Sequence, residues 1–140
     1  MYKVLVAIDG STHADRAIEH LLKVAGSGAA LEVVLLNVQP EIVDWQTHGL
    51  AKEAMLAHRH QLGQQATEAA RQRLGGTAIP HRLRTELGDA AKTIVAIAAD
   101  EGCDCIVMGT RGTGALPGLI LGSVATKVVH LAEVPVTLVK

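Results

Sequence analysis

The segment Asp104-Cys-Ile-Val-Met-Gly109-Thr-Arg-Gly112-Thr-Gly114-Ala-Leu-Pro-Gly118-Leu-Ile-Leu-Gly122-Ser123 passes from a strand to a helix through a loop. Cys105 to Met108 is a short, uninterrupted apolar run, the pattern of a strand buried on both faces of a parallel sheet. Gly109, Gly112, Gly114 and Gly118 then break the run, and a helix restarts near Gly122 and Ser123. Strand, glycine-rich loop and helix start together form an arrangement that receives phosphate. Glycine lets a ligand come close to bare main-chain N–H groups. The following helix aims its free N–H groups and the positive end of its dipole at the same place. Without a ligand, the same pattern is an ordinary strand-to-helix connection. Two familiar phosphate loops are excluded. No Lys follows a closing Gly, as a Walker A loop requires. Gly112-Thr113-Gly114 runs on into Ala115-Leu116-Pro117, so the dinucleotide fingerprint is unmet, and it comes late in the sequence instead of after the first strand.

Working outward, the same alternation recurs. Tyr2 to Ile8, with Val4, Val6 and Ile8, reads as a buried first strand ending at Asp9-Gly10-Ser11-Thr12, where Ser11 or Thr12 caps a helix. Ala14, Ala17, Ile18, Leu21, Leu22 and Ala25 mark that helix, and Gly26 and Gly28 stop it. Leu31 to Val38 is a second buried strand. Asn37 to Gly49, with Pro40 and Trp45, reads as a loop that either lies over a ligand site or packs on its own segment. Leu50 to Leu74 is one long helix, with Leu50, Ala54, Met55, Leu62, Ala66, Ala69, Ala70 and Leu74 at helical spacing. His58 and His60 diverge on it, which disfavours a metal pair. Ile79 to Leu87 alternates apolar with charged residues and contains Pro80, which marks an edge strand. Gly88-Asp89 opens a helix carrying Ile94, Val95, Ile97 and Ala98. Beyond the glycine loop, Val124, Val128 and Leu131 share a helical face, and Val136 to Val139 forms a last strand. Five strands alternating with four helices predict an α/β fold, an open five-stranded parallel sheet doubly wound with helices on both faces, in one domain over residues 1–140.

Composition narrows the partners. With 140 residues, 49 % of them apolar, the protein is large enough to bury a full core. It has no Phe, one Tyr and one Trp, so it lacks aromatic platforms for single-stranded nucleic acid. A net charge of −1 speaks against a polyanion partner. No apolar run approaches the roughly 18 residues of a membrane span. Asp9 comes too early for a signal-peptide core, so a cytoplasmic location is expected. Cys103 and Cys105 have no His or Cys partners nearby in sequence and make an incomplete zinc site; Cys105 is expected to be a small buried hydrophobe.

Gly109, two residues, Gly112, nine residues, Gly122-Ser123 resembles the nucleotide motif of the ATP-binding branch of the universal stress protein family. The likeness spans the full length: Val-Leu-Val-Ala-Ile-Asp-Gly-Ser at the start, Leu-Leu-Asn-Val in the second strand, Val-Met-Gly-Thr-Arg-Gly with Leu-Gly-Ser-Val-Ala around the loop, and Val-Pro-Val-Thr-Leu-Val at the end. The resemblance implies a strand order of 3-2-1-4-5, which sets the first and fourth strands side by side. Ligands of open parallel sheets bind where strand order reverses, at the carboxyl ends. By the same resemblance, Asp9 binds the ribose, main-chain groups of Val38 read the adenine edge, and Ala7 and Ile8 line the pocket. Met108 lies against the nucleoside. Gly109, Gly112 and Gly122 admit the phosphates, Ser123 offers a hydroxyl and Val124 an amide. Arg111 either touches phosphate or faces water, and His13 is exposed or near the phosphates. The stretch Thr113 to Leu121 is neutral, so the triphosphate charge calls for Mg²⁺ carried on the phosphates.

Asp9 and Ser123 each have a simpler role open to them, as caps of the helices that follow. No obvious base to orient water is paired with the loop. The expected function is therefore an ATP-binding regulatory or stress-response protein. A weak ATPase or phosphotransferase and a nucleotide-free interaction module are the alternatives. A receiver-type phosphoacceptor fits less well, since Asp9 has no adjacent acidic partner. The last strand is apolar on both sides, and an edge of that kind invites pairing; a two-fold homodimer through residues 135–139 is expected, as the resemblance also implies.

Overall fold

In the computed structural model, residues 1–41, 50–111 and 121–140 are described. Strands and helices alternate: β1 (Tyr2–Ala7), α1 (Thr12–Gly26), β2 (Leu31–Gln39), α2 (Leu50–Gly75), β3 (His81–Leu87), α3 (Ala90–Asp100), β4 (Cys105–Gly109), α4 (Ser123–Leu131) and β5 (Val136–Val139). The sheet order is β3-β2-β1-β4-β5 and every pairing is parallel. This is the doubly wound α/β architecture expected from the alternation, with the order implied by the resemblance. β3 starts at His81 and not at Ile79, because Pro80 has no N–H for the ladder. Its carbonyl still accepts the Val33 N–H at 2.9 Å.

Side chains alternate across the sheet and build two layers. Val4, Val6, Ile8, Val33, Leu35, Cys105 and Val107 pack under Ala14, Ala17, Ile18 and Leu21 of α1 and Ala70 and Leu74 of α2. Leu5, Val34, Leu36, Ile106 and Met108 pack on the other face under α3 and α4. Cys103 and Cys105 are free and buried in opposite layers, and burial pushes both thiols up from their ordinary range.

The long helix differs from its expected apolar stripe. Thr67, Ala70 and Leu74 are buried, whereas Ala54 and Ala69 are exposed. At 26 residues α2 is about 39 Å long, against about 30 Å for nine-residue β2, so its first turns overhang the sheet. Where it does pack, the approach is close: a Cβ at Gly63 would sit 2.6 Å from Thr85 Cγ2. On α4, Val128 is buried as expected but Leu131 is 43 % exposed, near the helix end. At the opposite edge of the sheet, the buried carboxylate of Glu101 joins Lys3 Nζ at 3.6 Å, Arg84 Nη1 at 2.7 Å and Arg82. These ion pairs tie the end of α3 to β1 and β3.

Candidate functional site

All five strands run the same way, so their carboxyl ends share one side of the sheet. β1 lies between β2 and β4. The polypeptide winds from β1 through β2 to β3 under α1 and α2, then returns to β4 and β5 under α3 and α4. The helices therefore diverge to opposite faces at the β1–β4 boundary, which leaves a crevice over those two strand ends.

Asp9 stands exposed at the β1 exit. Its Oδ1 accepts the Ser11 N–H at 2.9 Å, and Ser11 Oγ accepts the Ala14 N–H at 3.2 Å as the N-cap of α1. Gly10 makes this tight turn with φ +86°, a left-handed conformation that costs a residue with a Cβ. The cap role thus belongs to Ser11. Ile8 is buried in the α1 and α2 layer, and Ala7 packs against the opposite one.

The backbone of β2 has a direction that can be worked out. Leu36 O accepts the Ile8 N–H at 2.9 Å, so Leu36 turns its main-chain groups toward β1; Gln39 O accepts the Gly88 N–H at 3.0 Å, on the β3 side. Orientation alternates along a strand, so Val38 faces the same way as Leu36. Register with β1 ends at Ala7↔Leu36, while β2 continues beside β3 to Gln39↔Leu87. Val38 therefore overhangs β1 and directs its amide and carbonyl toward the crevice above Asp9.

At the β4 exit, a Cβ on Gly109 would lie 2.7 Å from His13 Cβ and 2.9 and 3.0 Å from the carbonyl carbon and oxygen of the same residue. The first turn of α1 thus rests directly on Gly109, and glycine is required there by packing, whatever else it does. Met108 is buried among the residues of the α3 and α4 layer. Thr110 is buried; its N–H donates to Val139 O at 3.1 Å and its carbonyl accepts the Gly122 N–H at 2.6 Å. That bond draws the start of α4 to the end of β4. Gly122 is the N-cap of α4 and has no side chain with which to cap it. Ser123, exposed, and Val124, half-buried, open the helix. Their N–H groups precede the first intrahelical bond, made by Thr126 N–H to Gly122 O at 3.0 Å. Arg111 follows Thr110 and is exposed, as is Lys127. Gly112 and the Trp45 loop lie outside the described residues.

One neighbour escaped the pattern of the sequence. Asn37 is buried, donates from Nδ2 to Ile8 O at 2.8 Å and accepts from Gln39 Nε2 at 2.8 Å. It braces the β1 exit just before Asp9; a polar residue inside an apolar strand was the available signal. His13, read from the sequence as exposed or near the phosphates, is half-buried at the start of α1. Among the described residues no group of three or more His, Cys, Asp or Glu could hold a metal ion. The assembled features are an exposed carboxylate at one strand end, a main-chain donor and acceptor on β2, and helix N–H groups beside β4. They suit an anionic ligand carrying hydroxyls and a planar edge.

Comparison with known proteins bears on the same point. The profile of the Universal stress protein family matches residues 1–140. A universal stress protein of Methanothermobacter thermautotrophicus is 34 % identical over 143 residues, covering 100 % of this chain and 97 % of its own. Among solved structures, MJ0577 of Methanocaldococcus jannaschii superposes with a TM-score of 0.85 at 29 % identity, covering 99 % of this chain and 95 % of that one. A universal stress family protein of Arabidopsis thaliana, solved with AMP bound, shares the fold with a TM-score of 0.73 at 23 % identity, covering 100 % and 92 % of the two chains.

Proposed function

The chain belongs to the universal stress protein family, and from that premise we propose that it binds ATP in the β1–β4 crevice as a regulatory, stress-responsive protein. The observation that carries this is the overhang of Val38, whose main-chain donor and acceptor face the crevice above Asp9. That pair suits the hydrogen-bonding edge of adenine. Asp9 then takes the ribose hydroxyls, with Ala7, Ile8 and Met108 behind the nucleoside. Ser123 and Val124 meet the phosphates at an α4 start whose N-cap, Gly122, has no side chain to cap it. Gly109, Gly112, Gly122 and Arg111 complete the phosphate side. The AMP carried by a fold neighbour supports an adenine nucleotide as the ligand class. Mg²⁺ enters on the phosphates, which supply oxygen ligands of the kind it prefers. No base is assigned, so ligand binding is the activity and turnover is not part of the proposal.

Two further expectations accompany this function. β5 is an edge strand with four partly exposed residues, Val136 to Val139, and pairs antiparallel with a second copy across a two-fold axis. A sedimentation experiment returning only monomer at micromolar concentration counts against that dimer. A cytoplasmic location is the second expectation; independently of it, no described helix is long and apolar enough to cross a membrane.

Thermal unfolding with Mg-ATP, with GTP as control, tests the nucleotide. Ligand at 100 times its dissociation constant stabilises the fold by about 2.7 kcal/mol, a rise of several degrees. Ser123→Glu is the informative variant. Position 123 is exposed, and an acid in the first helical turn favours the helix dipole while repelling phosphate. Gly122 is buried, so a side chain there risks the fold itself. A rise with ATP alone that Ser123→Glu removes is the expected result. No rise, together with no adenine absorbance released on denaturation, overturns the proposal.

A further inference from the structure

The geometry points to His13 as a phosphate-binding residue of this protein, offering its ring Nδ1 to an oxygen of a polyphosphate lying in the β1–β4 crevice. The assignment rests on the nucleotide site proposed above and adds to it a side chain that the glycine motif does not contain.

His13 is the second residue of α1, one turn beyond Asp9. Its Cβ and backbone lie against Gly109, so it spans from the β1 exit to the β4 exit. Nδ1 is shielded from water and makes no hydrogen bond. An imidazole nitrogen is a donor or an acceptor in every tautomer, and a polar atom removed from water without a partner is uncommon and unfavourable. Two other side-chain atoms share this condition among the described residues, Arg71 Nε and Thr85 Oγ1. Neither belongs to the crevice. Arg71 already bonds Glu68 and the Gln64 carbonyl through Nη2 on the outer side of α2. Thr85 Oγ1 is enclosed between β3 and α2, beneath Gly63. His13 is the one placed at the strand ends where a ligand arrives. Phosphate oxygens accept hydrogen bonds, so the partner that satisfies Nδ1 is met with the ring nitrogen as donor.

Calorimetric titration of the 140-residue protein with Mg-ATP, adenosine and inorganic tripolyphosphate tests this, using wild type, His13→Ala and His13→Asn. Asn is chosen because its amide reaches the position of Nδ1. His13→Ala is expected to weaken ATP roughly tenfold or more and leave adenosine unchanged, with His13→Asn recovering much of the loss. The melting temperature of ligand-free His13→Asn should stay near wild type, while His13→Ala also gives up the packing of a half-buried ring. Wild-type ATP binding that His13→Ala leaves intact overturns the role of His13 alone. A parallel loss for ATP and adenosine with a lowered melting temperature also overturns it and makes His13 a packing residue. Tight tripolyphosphate binding that His13→Ala abolishes, with no contribution from adenosine, keeps His13 and moves the ligand from nucleotide to free polyphosphate. A wild type that binds none of the three overturns the nucleotide site and this assignment with it.

Discussion

Gly109→Ala separates two reasons for a glycine at the β4 exit, and the structure decides between them in advance. Phosphate approach requires glycine only when ligand is bound. Contact with α1 requires it at all times, because the added methyl would sit 2.7 Å from His13 Cβ, 2.9 Å from its carbonyl carbon and 3.0 Å from its oxygen. Two of those atoms are backbone in the first turn of a helix whose cap, Ser11, is already engaged. The turn cannot yield without disturbing the Asp9-Gly10-Ser11 bonds. Forcing a methyl into a packed site of this kind costs about 1–3 kcal/mol. The loss of unfolded-state freedom returns about 0.4–1 kcal/mol, since Gly109 is not among the described glycines of positive φ. A 2.9 Å contact with backbone puts the cost in the upper half of that range, so the net expectation is a loss of about 1–2.6 kcal/mol, or roughly 2–10 °C in melting temperature, in the ligand-free protein. Gly10→Ala is the useful comparison. Its methyl would meet Ala66 at an ordinary 3.5 Å, so its cost of about 1–2 kcal/mol comes from φ +86°, and Gly10→Asn should recover part of it. Chemical and thermal unfolding of the three variants without nucleotide make the measurement. A Gly109→Ala protein as stable as wild type refutes the packing account and returns Gly109 to the ligand.

Two other outcomes follow from buried groups. Asn37→Leu removes the Nδ2 bond to Ile8 O and leaves a buried carbonyl without that partner, a loss of about 1–3 kcal/mol; a urea midpoint equal to wild type contradicts it. Burial raises the pKa of the Cys103 and Cys105 thiols, so near neutral pH both should resist a thiol reagent until the protein unfolds. The same shift has a pH consequence. Above the ordinary thiol value of about 8.5, the unfolded state releases thiol protons that the folded state retains, so stability falls as pH rises through that region. Unfolding curves at neutral and alkaline pH should show a smaller decline for Cys103→Ala, and an equal decline argues against the thiols as its source.

The alternation of strands and helices and the Asp9-Gly10-Ser11 turn are legible in the sequence, because each depends on near neighbours. Apolar runs, caps and helix stops are local chemistry. Even the late start of β3 has a local cause, the missing N–H of Pro80. The candidate site depends on contacts between distant segments. That β1 lies beside β4 is a matter of pairing order, which periodicity does not contain; the family resemblance supplied it. The direction of the Val38 backbone follows from register, and register is set by which faces of β1, β2 and β3 bury together. Asn37 looks like a misplaced polar residue until Ile8 O lies 2.8 Å away. Gly109 looks like part of a phosphate loop until α1 is laid across it. His13 reads in the sequence as exposed or near phosphate, and the fold leaves its Nδ1 shielded from water and without a hydrogen-bond partner. In each case the residue type was visible in the sequence, and its role came from a partner that folding alone brings near.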